Sequence, residues 1–322
     1  MGNELLSVNK LNLDFHMDDR TIRILTNVSI QIAKGESLGL MGETGSGKSL
    51  TSKSIIGLIP KTMEASGEVT FAGTAILNNK DKTVAEFRTR RIALVPQNAM
   101  TSLDPLFTIR QLMYEILGKK IEKAEREKKC REALASVELD PERVMNARPF
   151  ELSGGMQQRA VIAMALIRNP ELIIADEFTS ALDVETQRKL IVLMNKIRRE
   201  MNLSLLVISH DINVIKELCN RVAVMYLGRI VETSTIEEVL KNPKHPYTKA
   251  LLAAIPRVRG TNPMAITGSV PNLMDMPNGC KFNPRCSHVM PVCRETEPKL
   301  TQTDKTLVAC YLFSSTSEKK NE

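Results

Sequence analysis

Apolar and polar residues alternate along the first 35 positions of the chain. A period of two is typical of strands with one buried face. The alternation therefore predicts two antiparallel strands joined by a turn at Asp18-Asp19. Their apolar positions are Val8, Leu11, Leu13 and Phe15 in the first strand and Val28, Ile30 and Ile32 in the second.

Short apolar runs alternate with helical periodicity through the middle of the chain. Residues 37–41 form a predicted buried strand, and the helical pattern that follows extends to Leu58. Residues 108–139 are helical in pattern, and we interpret their charge-dense part as a solvated helix face. This order of elements implies a parallel sheet covered by helices. The further elements are strands at 172–175, 205–208 and 222–225 and helices that begin at Val184 and Asp211.

The composition changes after about Pro243, where Pro, Gly and Asn become frequent and four of the six cysteines occur. We interpret this part as a separate C-terminal extension. The longest apolar stretches of the chain, such as residues 160–167, are far too short to cross a bilayer. We therefore expect a chain that does not span a membrane by itself. The N-terminus shows no pattern of an export signal or a lipid anchor, so neither is expected.

The chain has 322 residues, of which 43% are hydrophobic and 25% charged, an ordinary globular balance. Its net charge of +7 favours an acidic partner, such as a nucleotide, nucleic acid or anionic lipid, or only keeps the protein soluble. The charge alone does not decide between these interpretations.

A glycine-rich loop lies between the predicted strand at 37–41 and a helix, and it matches G-x-x-x-x-G-K-[ST] in full. Its glycines let backbone amides approach phosphates, and the helix N-terminus adds partial positive charge. We expect Lys48 to bridge the β- and γ-phosphates and Ser49 to ligate Mg²⁺. The predicted ATP-binding positions are Gly42, Glu43, Thr44, Gly45, Ser46, Gly47, Lys48, Ser49 and Leu50.

Two acidic residues, Asp176 and Glu177, follow the buried strand at 172–175. A carboxylate at the end of such a strand is suited to hold Mg²⁺, and we therefore assign this role to Asp176. Glu177 is then available to orient or deprotonate the attacking water. A phosphate loop with an acidic pair is shared by kinases, GTPases, recombinases and transport ATPases.

The residues that separate these classes are Leu152-Ser153-Gly154-Gly155-Met156-Gln157. Here the sequence closely resembles ATP-binding cassette (ABC) ATPases, whose signature reads Leu-Ser-Gly-Gly-Gln; Met156 stands at the fifth place and Gln157 follows. The resemblance implies an α/β fold. It has a P-loop NTPase parallel-sheet core, an antiparallel β subdomain, a helical signature subdomain and a small cysteine-containing C-terminal extension. The implied boundaries are 1–242 for the nucleotide domain, about 98–160 for its helical subdomain, and 243–322 for the extension.

The same resemblance implies roles for further residues. Gln97 resembles the Q-loop residue that senses Mg²⁺ and water, and His210 resembles the switch histidine at the γ-phosphate. Phe15 is the candidate for stacking on adenine. In this family two cassettes meet head to tail, so the signature segment of one chain serves the ATP of the other. The residues implied at that interface are Ser153, Gly154, Gly155, Gln157 and the D-loop residue Asp183.

Three stretches resemble the ATP-binding subunits of oligopeptide, dipeptide and nickel permeases: residues 98–105, Met156, and residues 245–252. The resemblance implies peptide import from the cytoplasmic face of the membrane. The implied partners are a second ABC ATPase, two transmembrane permeases and an external solute-binding protein. Nickel, haem or another small solute are alternative substrates. No nucleic-acid partner is expected, because the coiled-coil insertion of DNA-maintenance members has no counterpart here.

Four cysteines lie within 31 residues of the extension, at Cys280, Cys286, Cys293 and Cys310. Four thiolates suit a tetrahedral Zn²⁺ or an iron–sulfur cluster, and free or disulfide-bonded cysteines are the third alternative. The resemblance to dipeptide-permease ATPases with a C-terminal cysteine motif favours [4Fe-4S]. The other cysteines, Cys130 and Cys219, fall in predicted helices and are interpreted as packing or surface residues.

Overall fold

The computed structural model describes residues 4–79, 81–254 and 266–314. They form two compact units. Unit 1 contains Ile32–Ser37 and Asn79–Ser209; unit 2 contains Glu4–Gln31, Leu38–Asn78 and the described residues from His210 onward.

Strands and helices alternate along much of the chain. The strands are β1 (Glu4–His16), β2 (Thr21–Ala33), β3 (Ser37–Met41), β4 (Met63–Phe71), β5 (Thr74–Ala75), β6 (Ile92–Val95), β7 (Leu172–Asp176), β8 (Ser204–Ile208), β9 (Arg221–Tyr226), β10 (Arg229–Thr235), β11 (Thr301–Thr303) and β12 (Thr306–Val308). The α-helices are α1 (Lys48–Ile55), α2 (Lys82–Arg91), α3 (Ala99–Ser102), α4 (Ile109–Leu117), α5 (Lys123–Ser136), α6 (Pro141–Asn146), α7 (Gly154–Leu166), α8 (Val184–Glu200), α9 (Ile212–Leu218), α10 (Ile236–Lys241), α11 (Pro246–Ala253) and α12 (Val292–Glu295). Short 3₁₀ helices occur at Pro149–Glu151 and Asn283–Arg285.

Unit 1 contains three parallel strands. β6 pairs with β7, and β7 pairs with β8. Every residue of β7 and β8 is buried, as expected for parallel strands covered on both faces. The predicted parallel sheet is therefore confirmed.

The predicted helical stretch at 108–139 is two helices, α4 and α5. The chain breaks at Gly118, whose φ of 78° lies in the left-handed region that favours glycine. In the charge-rich helix α5 only Cys130, Ala133 and Leu134 are buried, so its charged side chains form a solvated face as expected.

Unit 2 contains a four-stranded sheet in the order β2-β1-β4-β5, in which β1 runs antiparallel to β4. It also holds β3, which pairs in parallel with β9. β10 lies antiparallel to β9 on one side and to β12 on the other, and β12 pairs with β11. β11 and β12 thus extend the sheet formed by β3, β9 and β10. Both strands belong to the C-terminal segment, which is the predicted extension at 243–322, and the sequence pattern did not predict them.

Helix α1 ends at Ile55, earlier than the apolar pattern predicts. Gly57 adopts φ 67°, and the N–H of Leu58 donates to the carbonyl of Lys53 at 2.8 Å. These are the features of a glycine-terminated helix end. Leu58 consequently lies outside the helix and is 59% exposed.

The start of helix α11 is built around two buried side chains. The carboxylate of Glu232 accepts the N–H groups of Lys244 and His245, both at 2.8 Å. The Nδ1 atom of His245 accepts the N–H of Tyr247 at 3.0 Å and so caps the helix. Burial lowers the pKa of His245 to about 3.

This burial predicts an acid-sensitive contribution of His245 to stability. The unfolded chain protonates the ring near its ordinary pKa of about 6.5, so stability decreases as the pH falls from about 6.5 towards 3. At pH 5 the expected loss is about 2 kcal/mol. In His245→Asn the amide oxygen can still cap α11, and that loss should disappear.

The measurement is urea unfolding of both proteins at pH 7.5 and pH 5. All other titrating groups are shared, so the comparison isolates the imidazole. An equal loss of stability in wild type and His245→Asn would contradict the prediction.

Candidate functional site

The loop at residues 42–49 connects β3 to α1 in unit 2. Gly45 and Gly47 have φ values of 83° and 100°, which other residues rarely adopt. A Cβ on Gly42 would lie 2.2 Å from the carbonyl oxygen of Met225, so only glycine fits there. No heavy atom lies within 4 Å of the Cβ position of Gly45, so the loop is open at that residue. The predicted phosphate loop therefore has the required backbone shape.

Lys48 lies at the centre of this loop and is 7% exposed. Its Nζ donates to the carbonyl oxygens of Gly42 at 2.7 Å and Glu43 at 2.9 Å. The ammonium group is thereby held at the start of α1, where the helix dipole also favours anions.

Glu43 has two partners in the C-terminal segment that the sequence did not predict. Its carboxylate forms a bidentate ion pair with Arg285, and its N–H donates to Tyr247 Oη at 2.8 Å. Tyr247 belongs to the stretch at 245–252, which resembles the peptide and nickel permease subunits. Nothing in that stretch indicated that Tyr247 contacts Glu43. Arg285 is a charged residue directly before Cys286, which is the only sequence signal for it.

In unit 1, Asp176 ends β7 and is 5% exposed. Glu177 follows with a φ of 48°, an uncommon backbone conformation for a residue other than glycine. Its N–H donates to the carbonyl of Ile208 at 2.9 Å, and its own carbonyl accepts from the N–H of Ser180 at 3.0 Å. These two hydrogen bonds hold the backbone of Glu177 in its uncommon conformation. Such conformations are common at functional sites, where a side chain must point in a fixed direction.

Unit 1 also brings the signature segment beside the D-loop. Ser153 caps α7, with its Oγ 3.4 Å from the N–H of Met156. Asp183 caps α8 by accepting the N–H groups of Glu185 and Thr186, each at 3.0 Å. An open cleft between these segments is lined by Glu138, Leu139, Asp140, Arg143, Val144, Ser153, Gly154, Gly155, Met156, Arg159, Ala181, Leu182, Asp183, Thr186 and Lys189. It combines the N-terminus of a 13-residue helix, which favours an anion, with three cationic and three acidic side chains.

The remaining predicted residues lie on other elements of the fold. Gln97 is exposed just after β6, and His210 is exposed just after β8. Phe15 is half-buried on β1, opposite Met63. Gln157 donates its side-chain amide to the carbonyls of Pro149 and Leu152, both at 2.9 Å, so it braces the signature segment.

The four cysteines of the extension line one small pocket in unit 2. All six cysteines lie in the described part of the chain, and none forms a disulfide. Burial raises the pKa of Cys280 and Cys310 to about 11 and also raises the pKa of Cys286. Phe282, Pro298 and Tyr311 are among the other residues that enclose the pocket.

Within residues 4–79, 81–254 and 266–314, no three His, Cys, Asp or Glu side chains are grouped so as to hold a metal ion. This holds equally for the zinc and the iron–sulfur alternatives, although the four thiols share a pocket. Cys130 is buried in α5 and Cys219 is buried at the end of α9, so of the two alternatives both are packing residues and not surface residues.

Residues 25–180 match the family model of the ABC transporter. Residues 231–293 match the model of the oligopeptide/dipeptide transporter C-terminal region. The dimeric structure of a post-hydrolysis state of an ATP-binding cassette, bound to ADP and Pi, superimposes with a TM-score of 0.64 at 32% identity, covering 72% of this chain and 99% of that one. The fold class expected from the sequence is confirmed.

Curated relatives match along almost the whole length. The oligopeptide transport ATP-binding protein OppD of Salmonella typhimurium is 38% identical over 315 residues, which is 96% of this chain and 94% of the relative. The oligopeptide transport protein AppD and the dipeptide transport protein DppD of Bacillus subtilis are 40% and 37% identical; they cover 96% and 98% of this chain, which in turn covers 97% and 96% of them. The chain belongs to the ABC transporter family. It joins the ATPase domain of that family to the oligopeptide/dipeptide transporter C-terminal region.

Among the helices in the described part of the chain, none combines the length and the apolar character needed to span a bilayer.

The contact between the signature helix and α8 predicts a compensating pair of substitutions. A Cβ on Gly155 would lie 2.9 Å from Thr186 Cγ2, and the Thr186 rotamer is fixed because its Oγ1 donates to Asp183 at 2.7 Å. We expect Gly155→Ala to destabilise the protein by about 1 kcal/mol despite its higher helix propensity. Thr186→Ser removes Cγ2 and keeps the hydroxyl, so it should restore stability in the Gly155→Ala background.

A double-mutant cycle measured by urea unfolding tests this pair. Additive effects of the two substitutions would contradict the close packing of the two segments.

Proposed function

We propose that the chain is the ATP-hydrolysing subunit of an ABC importer for peptides. The observation that carries the proposal is that one chain joins the ATPase elements to a C-terminal region of the oligopeptide/dipeptide type. Its relatives are named oligopeptide and dipeptide transport ATP-binding proteins. Nickel, haem or another small solute would use the same machinery with different permeases.

In this proposal the phosphate loop binds the triphosphate through its backbone amides. Lys48 provides the cation for the β- and γ-phosphates, and Leu50 lies in the first turn of the helix below them. Ser49, Asp176 and Gln97 would hold Mg²⁺, which when bound neutralises charge on the phosphate oxygens. Phe15 would stack on the adenine.

Glu177 is the proposed general base for the attacking water. Its backbone is held by Ile208 and Ser180, so its side chain leaves the strand end in a defined direction. His210 is proposed to contact the γ-phosphate and orient it towards that water. Proton acceptance by a positioned carboxylate typically contributes a factor of 10²–10⁴ in rate.

The cleft formed by the signature segment and the D-loop is proposed to bind the ATP held by a second cassette. Helix α7 begins at Gly154, with Ser153 as its N-cap and Gly155 as its second residue. No heavy atom lies within 4 Å of the Cβ position of Gly154. An anion can therefore approach the backbone there. The second cassette is an ATPase subunit of the same kind, in a heterodimer or a homodimer.

The remaining proposed partners are two transmembrane permeases and an extracytoplasmic solute-binding protein. The ATPase would then lie peripherally at the cytoplasmic face of the membrane. Binding of the chain to permease-containing membranes would support this assignment. Salt-dependent binding to DNA or RNA would instead favour a nucleic-acid ATPase.

The role of Glu177 predicts that Glu177→Gln slows ATP hydrolysis at least 100-fold while ATP binding persists. Because nucleotide is then trapped, a stable ATP-bound cassette dimer should accumulate. Phosphate release and light scattering in MgATP measure the two effects. Glu200→Gln, at the exposed end of α8, is the matched control and should hydrolyse at the wild-type rate. Turnover of Glu177→Gln near that rate would remove Glu177 from catalysis.

We also propose that Cys280, Cys286, Cys293 and Cys310 hold a [4Fe-4S] cluster. Support comes from their placement around one pocket without disulfides. A cubane cluster is held by four thiolates, and the pocket is lined by four cysteines. Bound iron would favour the thiolates of Cys280, Cys286 and Cys310 over the protonated thiols, which burial otherwise stabilises. The cluster would fasten together a segment that has few apolar residues of its own.

Metal analysis of protein purified without oxygen tests the cluster. We expect about four irons and four sulfides per chain, with broad absorption at about 400 nm. Cys286→Ser should lose both, and Cys219→Ala, a buried cysteine outside the pocket, should keep both. Stoichiometric zinc, or protein without metal, would contradict the cluster.

A further inference from the structure

The carboxylate of Glu43, the second residue of the phosphate loop, is bound by a residue 242 positions away in the chain. Arg285 Nη1 lies 2.8 Å from Glu43 Oε2, and Arg285 Nη2 lies 3.1 Å from Oε1. The arginine side chain is 3% exposed and that of the glutamate 24%. A bidentate, largely buried pair of this kind fixes both orientation and distance.

The guanidinium of Arg285 is itself held on every side. Its Nε donates to the carbonyl of Thr267 at 3.1 Å, and Nη1 lies 3.4 Å from Tyr226 Oη. The hydrogen bonds to Glu43 raise the pKa of Arg285, so the group is always a cation. The rings of Tyr226 and Phe282 lie within 6 Å of its central carbon. Arg285 is therefore a rigid partner for Glu43.

Tyr247 holds the backbone of the same residue. Its Oη accepts the N–H of Glu43 at 2.8 Å, and its ring is fully buried against Tyr226, with centroids 4.5 Å apart. The side chain and the main chain of Glu43 are thus bound separately by two residues of the C-terminal segment.

Glu43 connects these contacts to Lys48. The carbonyl oxygen of Glu43 accepts from Lys48 Nζ at 2.9 Å and from the N–H of Ser46 at 3.1 Å. A shift of Glu43 would move both the lysine and the turn of the loop. In addition, a carboxylate in a loop that binds phosphates repels its ligand unless a cation neutralises it.

We propose that Arg285 and Tyr247 are positioning residues for nucleotide binding, which hold Glu43 in place and neutralise its charge. The C-terminal region is then part of the nucleotide site and not only an appendage to it. The inference rests on the assignment of residues 42–49 as the phosphate loop.

The experiment measures the Kd of the full-length chain for MgATP in Arg285→Met, Arg285→Lys and Tyr247→Phe. Arg285→Met leaves the Glu43 carboxylate without its cation, and we expect ATP binding to weaken about tenfold. Arg285→Lys keeps the charge but loses the bidentate geometry, so a smaller loss is expected. Tyr247→Phe removes one acceptor and should weaken binding about threefold.

Charge neutralisation predicts a rescue that a purely structural role does not. Adding Glu43→Gln to Arg285→Met removes the uncompensated carboxylate, so the double variant should bind ATP more tightly than Arg285→Met alone. Arg294→Met is the matched control, because Arg294 is an exposed arginine beside Cys293 as Arg285 is beside Cys286. Its Kd should equal that of the wild type.

Circular dichroism and thermal unfolding show whether each variant is folded; Arg285→Lys serves as the test if Arg285→Met is not. A folded Arg285 variant that binds ATP within twofold of the wild type would overturn the proposal, as would failure of the Glu43→Gln rescue. Lys48→Ala separates the two levels of inference. If its Kd for MgATP equals that of the wild type, the phosphate-loop assignment itself is wrong; if its binding is weakened and the Arg285 variants are unaffected, only the positioning role fails.

Discussion

In unit 2 the backbone of the turn between β9 and β10 lies against the phosphate loop and against β2. This contact holds the phosphate loop in shape, and the proposed nucleotide chemistry depends on that shape. The N–H of Gly228 donates to Ser46 at 2.8 Å, and the carbonyl of Gly228 accepts from Thr26 at 2.9 Å. A Cβ on Gly228 would lie 1.8 Å from the carbonyl oxygen of Ile24. The turn between β9 and β10 therefore acts as a backbone support for the loop, and its fit requires glycine.

The C-terminal segment is ordered by the core of unit 2 rather than by a core of its own. Phe282 is 2% exposed and packs against the rings of Tyr226, Tyr247 and His245. β12 adds the backbone pairing of a strand, antiparallel to β10. A segment with few apolar residues can offset its ordering entropy in this way, because the partner surface is already folded.

Sequence patterns were most reliable where the structure is local. The strand at Ser37–Met41 and the buried strands at Leu172–Asp176 and Ser204–Ile208 follow from continuous apolar runs. The apolar pattern predicted too long a helix at α1. A glycine in the left-handed conformation ends that helix, while the apolar residues continue beyond it. It also missed β11 and β12, which are only three residues each and depend on β10 for their pairing.

The sequence by itself determined the phosphate loop, the acidic strand end, the signature segment and the family. Each of these acts through backbone conformation and a few side chains at fixed spacing, so neighbouring positions are sufficient to specify it. Only the tertiary structure decided that Arg285 and Tyr247 hold Glu43, and that four cysteines spread over 31 residues share one pocket. Such contacts join positions far apart in the chain, and no local periodicity encodes them, because they depend on how β10, α11 and the C-terminal segment pack together.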